Sequence, residues 1–392
     1  MSSQFSTYQL GEVTEIIAGG DKPKVFSLEK KELVRVPVIA NAEKNNGLMG
    51  YTDNARIFES AVTIAARGSN VGFVAVRKEP FFPVVRLLSL IPKKDRLDVD
   101  YLFYNLKQNR KTGTGSGQPQ ITIPDISSKT ISLPPISIQQ KVAEVLTVLD
   151  QKIELNNRIN AELEAMAKTL YDYWFVQFDF PDANGKPYKS SGGKMVYNPT
   201  LKREIPEGWS DKTLSQIANI TMGQSPEGSS YNEDGEGTIF YQGSTDFGWL
   251  FPSTRQYTTA PSRMAKKGDI LLSVRAPVGD MNIANTDCCI GRGLAALNSK
   301  TGSDGFLFYV MKYFKKIFDR RNSEGTTFGS ITKSDLHSLT LAFPTADLLK
   351  KYDDVVTNYN KMIFERSLEN RELISLRDWL LPMLMNGQVT VR

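Results

Sequence analysis

One histidine and two cysteines in 392 residues leave little of the side-chain chemistry that most enzymes use. A single His337 cannot build a histidine-based triad or a two-histidine metal centre within one chain. It lies in SDLHSLTL, whose alternating pattern predicts a strand end or a partly buried structural histidine. Cys288 and Cys289 are chain neighbours, a spacing that rarely meets disulfide geometry and supplies no four-ligand zinc set. A reducing compartment is expected. No stretch approaches the ~18 apolar residues that a membrane span needs, and MSSQFSTYQLGEV has no basic segment leading into an apolar one. A cytoplasmic protein is therefore expected. No GxxxxGK(S/T) loop occurs, nor a GxGxxG ahead of a helix, so a nucleotide phosphate cradle is not signalled.

What is present is length, a mild excess of positive charge and a repeat. The chain exceeds a typical single core, and its formal charge of +5 suits nucleic acid without requiring it. ITIPDISSKTISLPP at 121–135 matches ITKSDLHSLTLAFPT at 331–345, an offset of 210. A repeat of this size fixes the architecture before any local reading.

The same offset runs on into two long helices. Seam positions in the first fall at Val142, Leu146, Leu149, Ile153, Asn156, Asn160, Leu163, Ala167, Leu170 and Trp174, apolar but for the two asparagines. In the second they fall at Tyr352, Val356, Tyr359, Ile363, Arg366, Asn370, Leu373, Arg377, Leu380 and Leu384. The 4-3-4-3 spacing is that of supercoiled helix pairing. Ser137 and Gln140 read as a capping box for the first helix, and Asn386-Gly387 as the stop of the second. Antiparallel pairing would bring Asn156 and Asn160 opposite Arg366 and Asn370. A buried polar layer there would penalise slipped registers; the alternative is that these positions are half exposed. Arg377 faces either Asp172 or Glu154 on the other helix, or turns outward.

These signals divide the chain into a module at 1–135, a central helix at 136–178, a Gly/Pro/Lys-rich linker with extended pieces at 179–207, a second module at 208–344 and a C-terminal helix at 345–386. Landmarks recur between the modules. LGEVTEIIAGG answers LSQIANITMGQ, and AVTIAARGSNVGFVAV answers DILLSVRAPVGDMNIA, each an apolar run reaching Arg67 or Arg275 and then a Gly turn. TGTGSGQPQIT and EGTTFGSIT each read as a Gly/Ser/Thr/Gln loop leading into a strand. Strands, short helices and turns mix without βαβ alternation, so each module is expected to be α+β.

Candidate contacts are polar and exposed: Lys22, Lys24, Asn41, Arg67, Ser69, Asn70, Thr114, Ser116, Gln118 and Gln120 in the first module. The second offers Gln224, Ser225, Gln242, Ser244, Arg275, Arg292, Thr326, Thr327 and Ser330. Arginine pairs with guanine, Asn and Gln with adenine, and Gly-rich backbone approaches phosphates, so the set suits base-edge readout of duplex DNA.

With these residues in hand, the chain resembles the DNA-specificity subunit of type I restriction-modification enzymes. The resemblance rests on SGQPQITIPDISSKTISLPPISIQQKVAEVLTVLDQKIELNNRINAELEAMAKTLYDYWF, its echo GTTFGSITKSDLHSLTLAF, LRDWLLPMLMNGQV, IPEGWSDKTLSQIANITMGQSP and GDILLSVRAPVGD. It implies two target recognition domains, each reading half of a split asymmetric site, with an antiparallel coiled coil setting the spacer. It also implies two docked adenine methyltransferase subunits, which bring S-adenosylmethionine, and motor-endonuclease subunits joining through them. This chain would then hold no catalytic residue, metal or cofactor. The positions carried over are Thr114 to Gln120, Thr326 to Ser330, Arg67 and Arg275.

Two other classes are weighed. A metal-dependent nuclease would draw on Asp21, Asp53, Asp246, Asp269 and Asp280, whose spacing converges on no site. A coiled-coil scaffold would bind peptide rather than DNA through its modules.

Overall fold

A computed structural model describes residues 5–109, 120–323 and 330–391. The chain forms two compact units, Met1–Glu154 with Arg371–Arg392, and Leu155–Asn370. Both are α+β and share one topology.

In the first unit an antiparallel sheet runs Thr14–Ala18, Leu88–Pro92, Ala61–Ile64, Val74–Arg77. A smaller sheet runs Leu48–Thr52, Val36–Ile39, Phe82–Pro83, the last two strands parallel. Ser6–Gln9 pairs with Thr130–Leu133 and closes the module on itself. Helix Val99–Gln108, capped by the Asp98 carboxylate on the Asp100 and Tyr101 amides, buries Tyr101, Leu102 and Leu106 in the core.

The second unit repeats this order. Its sheet runs Ala218–Met222, Leu294–Ser299, Ile270–Ser273, Met281–Ile283. A parallel pair, Thr238–Tyr241 with Cys288–Ile290, corresponds to the parallel pair of the first unit, and Ser210–Thr213 closes on Thr340–Phe343. Helix Asp304–Ser323 stands where Val99–Gln108 stood.

Each closing strand runs into a long helix. Leu133 is followed by Pro134 and Pro135, which lack ladder amides, and the central helix Ile136–Tyr171 begins directly after them. Its first residue precedes Ser137, so Ser137 lies inside the first turn rather than at the cap. The helix exits through one wide turn, Asp172–Val176, to a left-handed Phe178 with φ of 67°. Tyr171, Phe175 and Phe178 anchor that end among Phe306, Tyr352 and Trp209, with Phe175 4.8 Å from Phe306. The C-terminal helix Ala346–Met385 ends at Gly387, whose φ of 68° suits a residue without Cβ.

Heptad spacing becomes burial in both helices. Val142, Leu146, Ile153, Asn156, Asn160, Leu163 and Ala167 are buried, with Leu149 and Leu170 partly so. Opposite them Tyr352, Val356, Ile363, Asn370 and Leu384 are buried, while Tyr359, Arg366, Leu373, Arg377 and Leu380 are half-buried. Pairing is antiparallel within each unit. In the second, Asn156 meets Asn370 and the Tyr352 hydroxyl donates to the Ala167 carbonyl at 3.1 Å. In the first, Val142 and Leu146 share a core with Leu381, Leu384 and Met385.

Two local expectations change, the segments that follow the Gly-rich loops and the partner of Arg377. The segments after Gln120 and Ser330 are short helices, Ile123–Ser127 and Lys333–Ser338, not strands, and His337 sits half-buried in the last turn of the second. Thr122 with Asp125, and Thr332 with Asp335, form capping boxes that outweigh the alternating pattern. The extended pieces expected in the linker at 179–207 are present, Met195–Asn198 pairing with Arg203–Pro206; beyond that, Phe180 stacks on Tyr188 at 4.6 Å and Ile205 joins the second core. Arg377 meets Asp150 at 2.7 Å rather than Asp172 or Glu154, while Arg366 turns its guanidinium back to the Met362 carbonyl at 3.1 Å.

Candidate nucleic-acid interface

In the first module several strand ends meet at one edge. Gly19 donates to the Leu87 carbonyl at 2.8 Å, and a Cβ on Gly19 would lie 2.9 Å from Pro83 backbone, so glycine is needed for the approach. The following turn is bound back: Val85 donates to Gly20 at 2.9 Å and Arg86 to Gly19 at 3.1 Å. Val85 and Arg86 hold φ of 54° and 57°. A β-branched residue in that region costs on the order of 1–3 kcal/mol, and Val85 is 55% exposed, so its own burial does not offset the strain.

Asn41 lies beside this turn. Its Oδ1 accepts the Ala66 amide at 3.0 Å and its Nδ2 donates to the Val85 carbonyl. The carboxamide that the sequence suggests for adenine is thus engaged with backbone, where it fixes the residue preceding Arg67. Arg67 pairs with Gln120 in an isolated antiparallel bridge, and Ile121 donates to Ala66 at 2.9 Å. Arg56 comes to the same edge, its Nη1 3.1 Å from the place a Gly20 Cβ would take. Lys22 rests its ammonium 3.5 Å over the Phe26 ring, and Lys24, Ser69 and Asn70 stand on the surface of the adjoining loops, Asn70 the least exposed.

The second module builds the same edge with other residues. Gly223 donates to Leu294 at 2.9 Å and Gln224 to Ile290 at 3.0 Å; a Cβ on Gly223 would fall 2.1 Å from the Gly291 carbonyl oxygen. Gln242 donates to the Ser225 hydroxyl at 2.9 Å, and that hydroxyl accepts the Arg292 amide at 3.3 Å. Ser225 and Gln242 therefore orient the Arg292 turn. Ser244 opens the one-turn helix Ser244–Asp246, two residues beyond Gln242. Arg275 bridges Ser330, Ile331 donates to Val274 at 2.8 Å, and Val274 donates to Gly293 at 2.9 Å.

Arg56, Arg67, Arg86, Arg275 and Arg292 are exposed, and none of their guanidinium groups has an ion pair or hydrogen bond among the described residues. By contrast Arg255 nearby is held by Asp246 at 2.9 Å. Unpaired, exposed arginines around Gly-lined turns give each module a cationic edge suited to phosphate and base-edge contact. Arg56 and Arg86 escape a sequence reading because neither lies in a segment that repeats visibly between the modules; at this turn the offset is 207, as Leu87 and Leu294 show by accepting from Gly19 and Gly223, and it sets Val85 rather than Arg86 against Arg292. Thr114, Ser116, Gln118, Thr326 and Thr327 lie outside the described residues.

The carboxylates of a nuclease reading stand apart. Asp269 accepts from the Lys266 amide and from Asn298, Asp280 pairs with Lys315 at 3.2 Å, and Asp53 meets the Thr52 hydroxyl at 3.1 Å. No group of three or more His, Cys, Asp or Glu residues placed to hold a metal occurs among the described residues. Nor is any helix among them long and apolar enough to cross a membrane.

Comparison with known proteins adds independent information. The family model described as type I restriction modification DNA specificity domain matches twice, over residues 2–165 and 206–364. A protein of Methanocaldococcus jannaschii named for the type I restriction enzyme MjaX specificity subunit is 31% identical, covering 98% of this chain and 93% of its own. The MjaIX specificity subunit of the same organism is 25% identical over 86% of this chain and 79% of its own. The crystal structure of a type I restriction-modification S subunit from M. genitalium shares the fold, with a TM-score of 0.68 at 18% identity over 97% of this chain and 96% of that one.

Proposed function

We propose a function from one premise: this chain belongs to the type I restriction-modification DNA specificity family. Each module reads one half of a bipartite, asymmetric duplex site, and the chain carries no catalytic group of its own. The observation that carries this reading is the matched placement of Arg67 and Arg275. Both are exposed, their guanidinium groups without a partner among the described residues, and each is bridged to the residue, Gln120 or Ser330, that lies two before the N-cap of the following short helix.

In this reading the helix pair sets the unread spacer and docks two adenine methyltransferase subunits, which bind S-adenosylmethionine, and restriction-translocase subunits join through the complex. Support for docking comes from the outward faces of the helices. Val148 and Met166 on the central helix, and Leu376 and Trp379 on the C-terminal helix, stay exposed away from the seam, Trp379 at 56%. Apolar side chains left in water on a paired helix mark a surface that another protein covers.

The test is genome-wide mapping of N6-methyladenine in cells that carry the cognate methyltransferase subunit, with and without this chain. A split motif that appears only with the chain is expected. With both proteins expressed and associated, no new motif would overturn the reading and favour a coiled-coil scaffold.

A further inference from the structure

The two modules share a frame and differ in the residues set on it. Under the reading proposed above, on which this inference rests, they meet different base sequences. A side chain kept at the same place in both is then suited to what the two half-sites share. The sequence-independent part of duplex DNA is its phosphodiester backbone.

Arg67 and Arg275 are such a pair. Each follows an inner strand of its four-stranded sheet, each bridges the residue before an isoleucine, and that isoleucine donates to the residue before the arginine, at 2.9 Å from Ile121 and 2.8 Å from Ile331. Around them the modules diverge. The amide at the same place is taken by the Asn41 carboxamide in one module and by the Gly293 carbonyl in the other. The neighbouring turn is left-handed at Val85 and Arg86 in the first module, and is Gly-Arg-Gly at 291–293 in the second. The bridge partner changes from Gln120 to Ser330.

We propose that Arg67 and Arg275 are phosphate anchors, one for each half-site, and that base preference resides in the divergent neighbours Gln120, Ser330 and Arg292. The bridge holds the residue before each arginine, Ala66 by the Ile121 amide and Val274 by the Ile331 amide. The guanidinium is therefore presented from a rigid base, and its planar fork matches two oxygens of a phosphate. A module whose anchor is constant can change its reading residues without losing its seat on the duplex.

The test uses the methyltransferase complex assembled on the full chain. Binding is titrated against KCl on a duplex bearing the mapped site and on one with a single base pair changed in either half. For Arg275→Ala the expected result is weaker binding to both duplexes by a common factor, an unchanged ratio between them, and a salt slope lower by about 1. Arg275→Lys should recover much of the loss, and Arg67→Ala should behave as Arg275→Ala does. Loss of discrimination at one base pair with the salt slope unchanged, or no change in binding, would overturn the assignment. Failure of the unaltered complex to distinguish the duplexes would instead remove the reading function itself, and the anchor with it.

Discussion

Asn156 donates its side-chain amide to Asn370 at 2.9 Å within the seam of the second unit, and Asn370 donates in turn to Asn157 at 2.9 Å. Asn156 also reaches Glu369 at 2.8 Å. A slip of the helix pair would set these groups against leucine or isoleucine without partners, so the cluster fixes register. One turn on, Asn160 is as buried as Asn156, each 1% exposed, yet its Oδ1 has no hydrogen-bond partner among the described residues.

The two asparagines should therefore respond with opposite sign. Asn156→Leu leaves the buried Asn370 carbonyl oxygen without its donor and is expected to destabilise by about 1–3 kcal/mol. Asn160→Leu removes an unsatisfied acceptor and adds apolar contact, so its thermal midpoint should rise. Thermal unfolding of the full chain with each variant checks both. A fall in midpoint for Asn160→Leu would mean that its carbonyl is satisfied and that the layer is larger than the Asn156 cluster.

The helix pair and the duplicated α+β modules are legible in the sequence because both rest on periodicity. A heptad needs only one residue type at a fixed spacing, and a repeat needs only an offset. What stays hidden depends on pairing across the fold. Thr122 with Asp125 was available as a capping signal, but the alternation of ITIPDIS and the strand that does follow at Thr130 masked it. The order 179–207 has comes from Phe180, Tyr188 and Trp209 meeting one another, which Gly and Pro content conceals. Among site residues, the edge positions of Arg67 and Arg275 follow from strand ends. The engagement of Asn41 with Ala66, 25 residues on, does not.

Arg377 is a second case of partnership set by register. Burial opposes its charge, but hydrogen bonds to Asp150 and Asp378 outweigh that and hold its pKa above the ordinary arginine value. Asp150 also accepts from the Tyr104 hydroxyl at 2.9 Å and lies 3.6 Å from Lys107. Asp150→Ala removes the acceptor shared by Tyr104, Lys107 and one arm of Arg377, whose other nitrogens keep Asp378, in a partly exposed site. A loss of about 1–3 kcal/mol in urea unfolding is expected, below the roughly 3–5 kcal/mol of a fully buried pair. A double-mutant cycle with Arg377→Met that shows no coupling would place the loss in packing instead.

Cys288 offers a pH test. Burial pushes its thiol up to about 12, and neither cysteine is exposed. An unfolded thiol titrates near about 8.5, so the native state binds the extra proton and stability falls as pH rises above that value. The native chain at pH 9 should resist a disulfide reagent that labels free thiols quickly, with labelling appearing as urea unfolds the second unit. Rapid labelling without denaturant would show that strand Cys288–Ile290 opens readily.

Asn41 separates support from readout. Its carboxamide holds the Ala66 amide and the Val85 carbonyl, the backbone on either side of the Arg67 and Arg86 edge. Asn41→Ala should destabilise the first module by about 1–2 kcal/mol, toward the low end for a lost amide partner because the site is partly open to water. Methylation at the mapped sites should decline while the consensus stays the same, since the arginines remain but their seat loosens. Asn41→Asp keeps the acceptor for Ala66, yet it loses the donor to Val85 and places a negative charge beside the phosphates. Its decline should be the deeper of the two, and more so at low salt, where the added repulsion is least screened. A change of consensus at one position of the first half-site in Asn41→Ala would show that Asn41 itself meets a base.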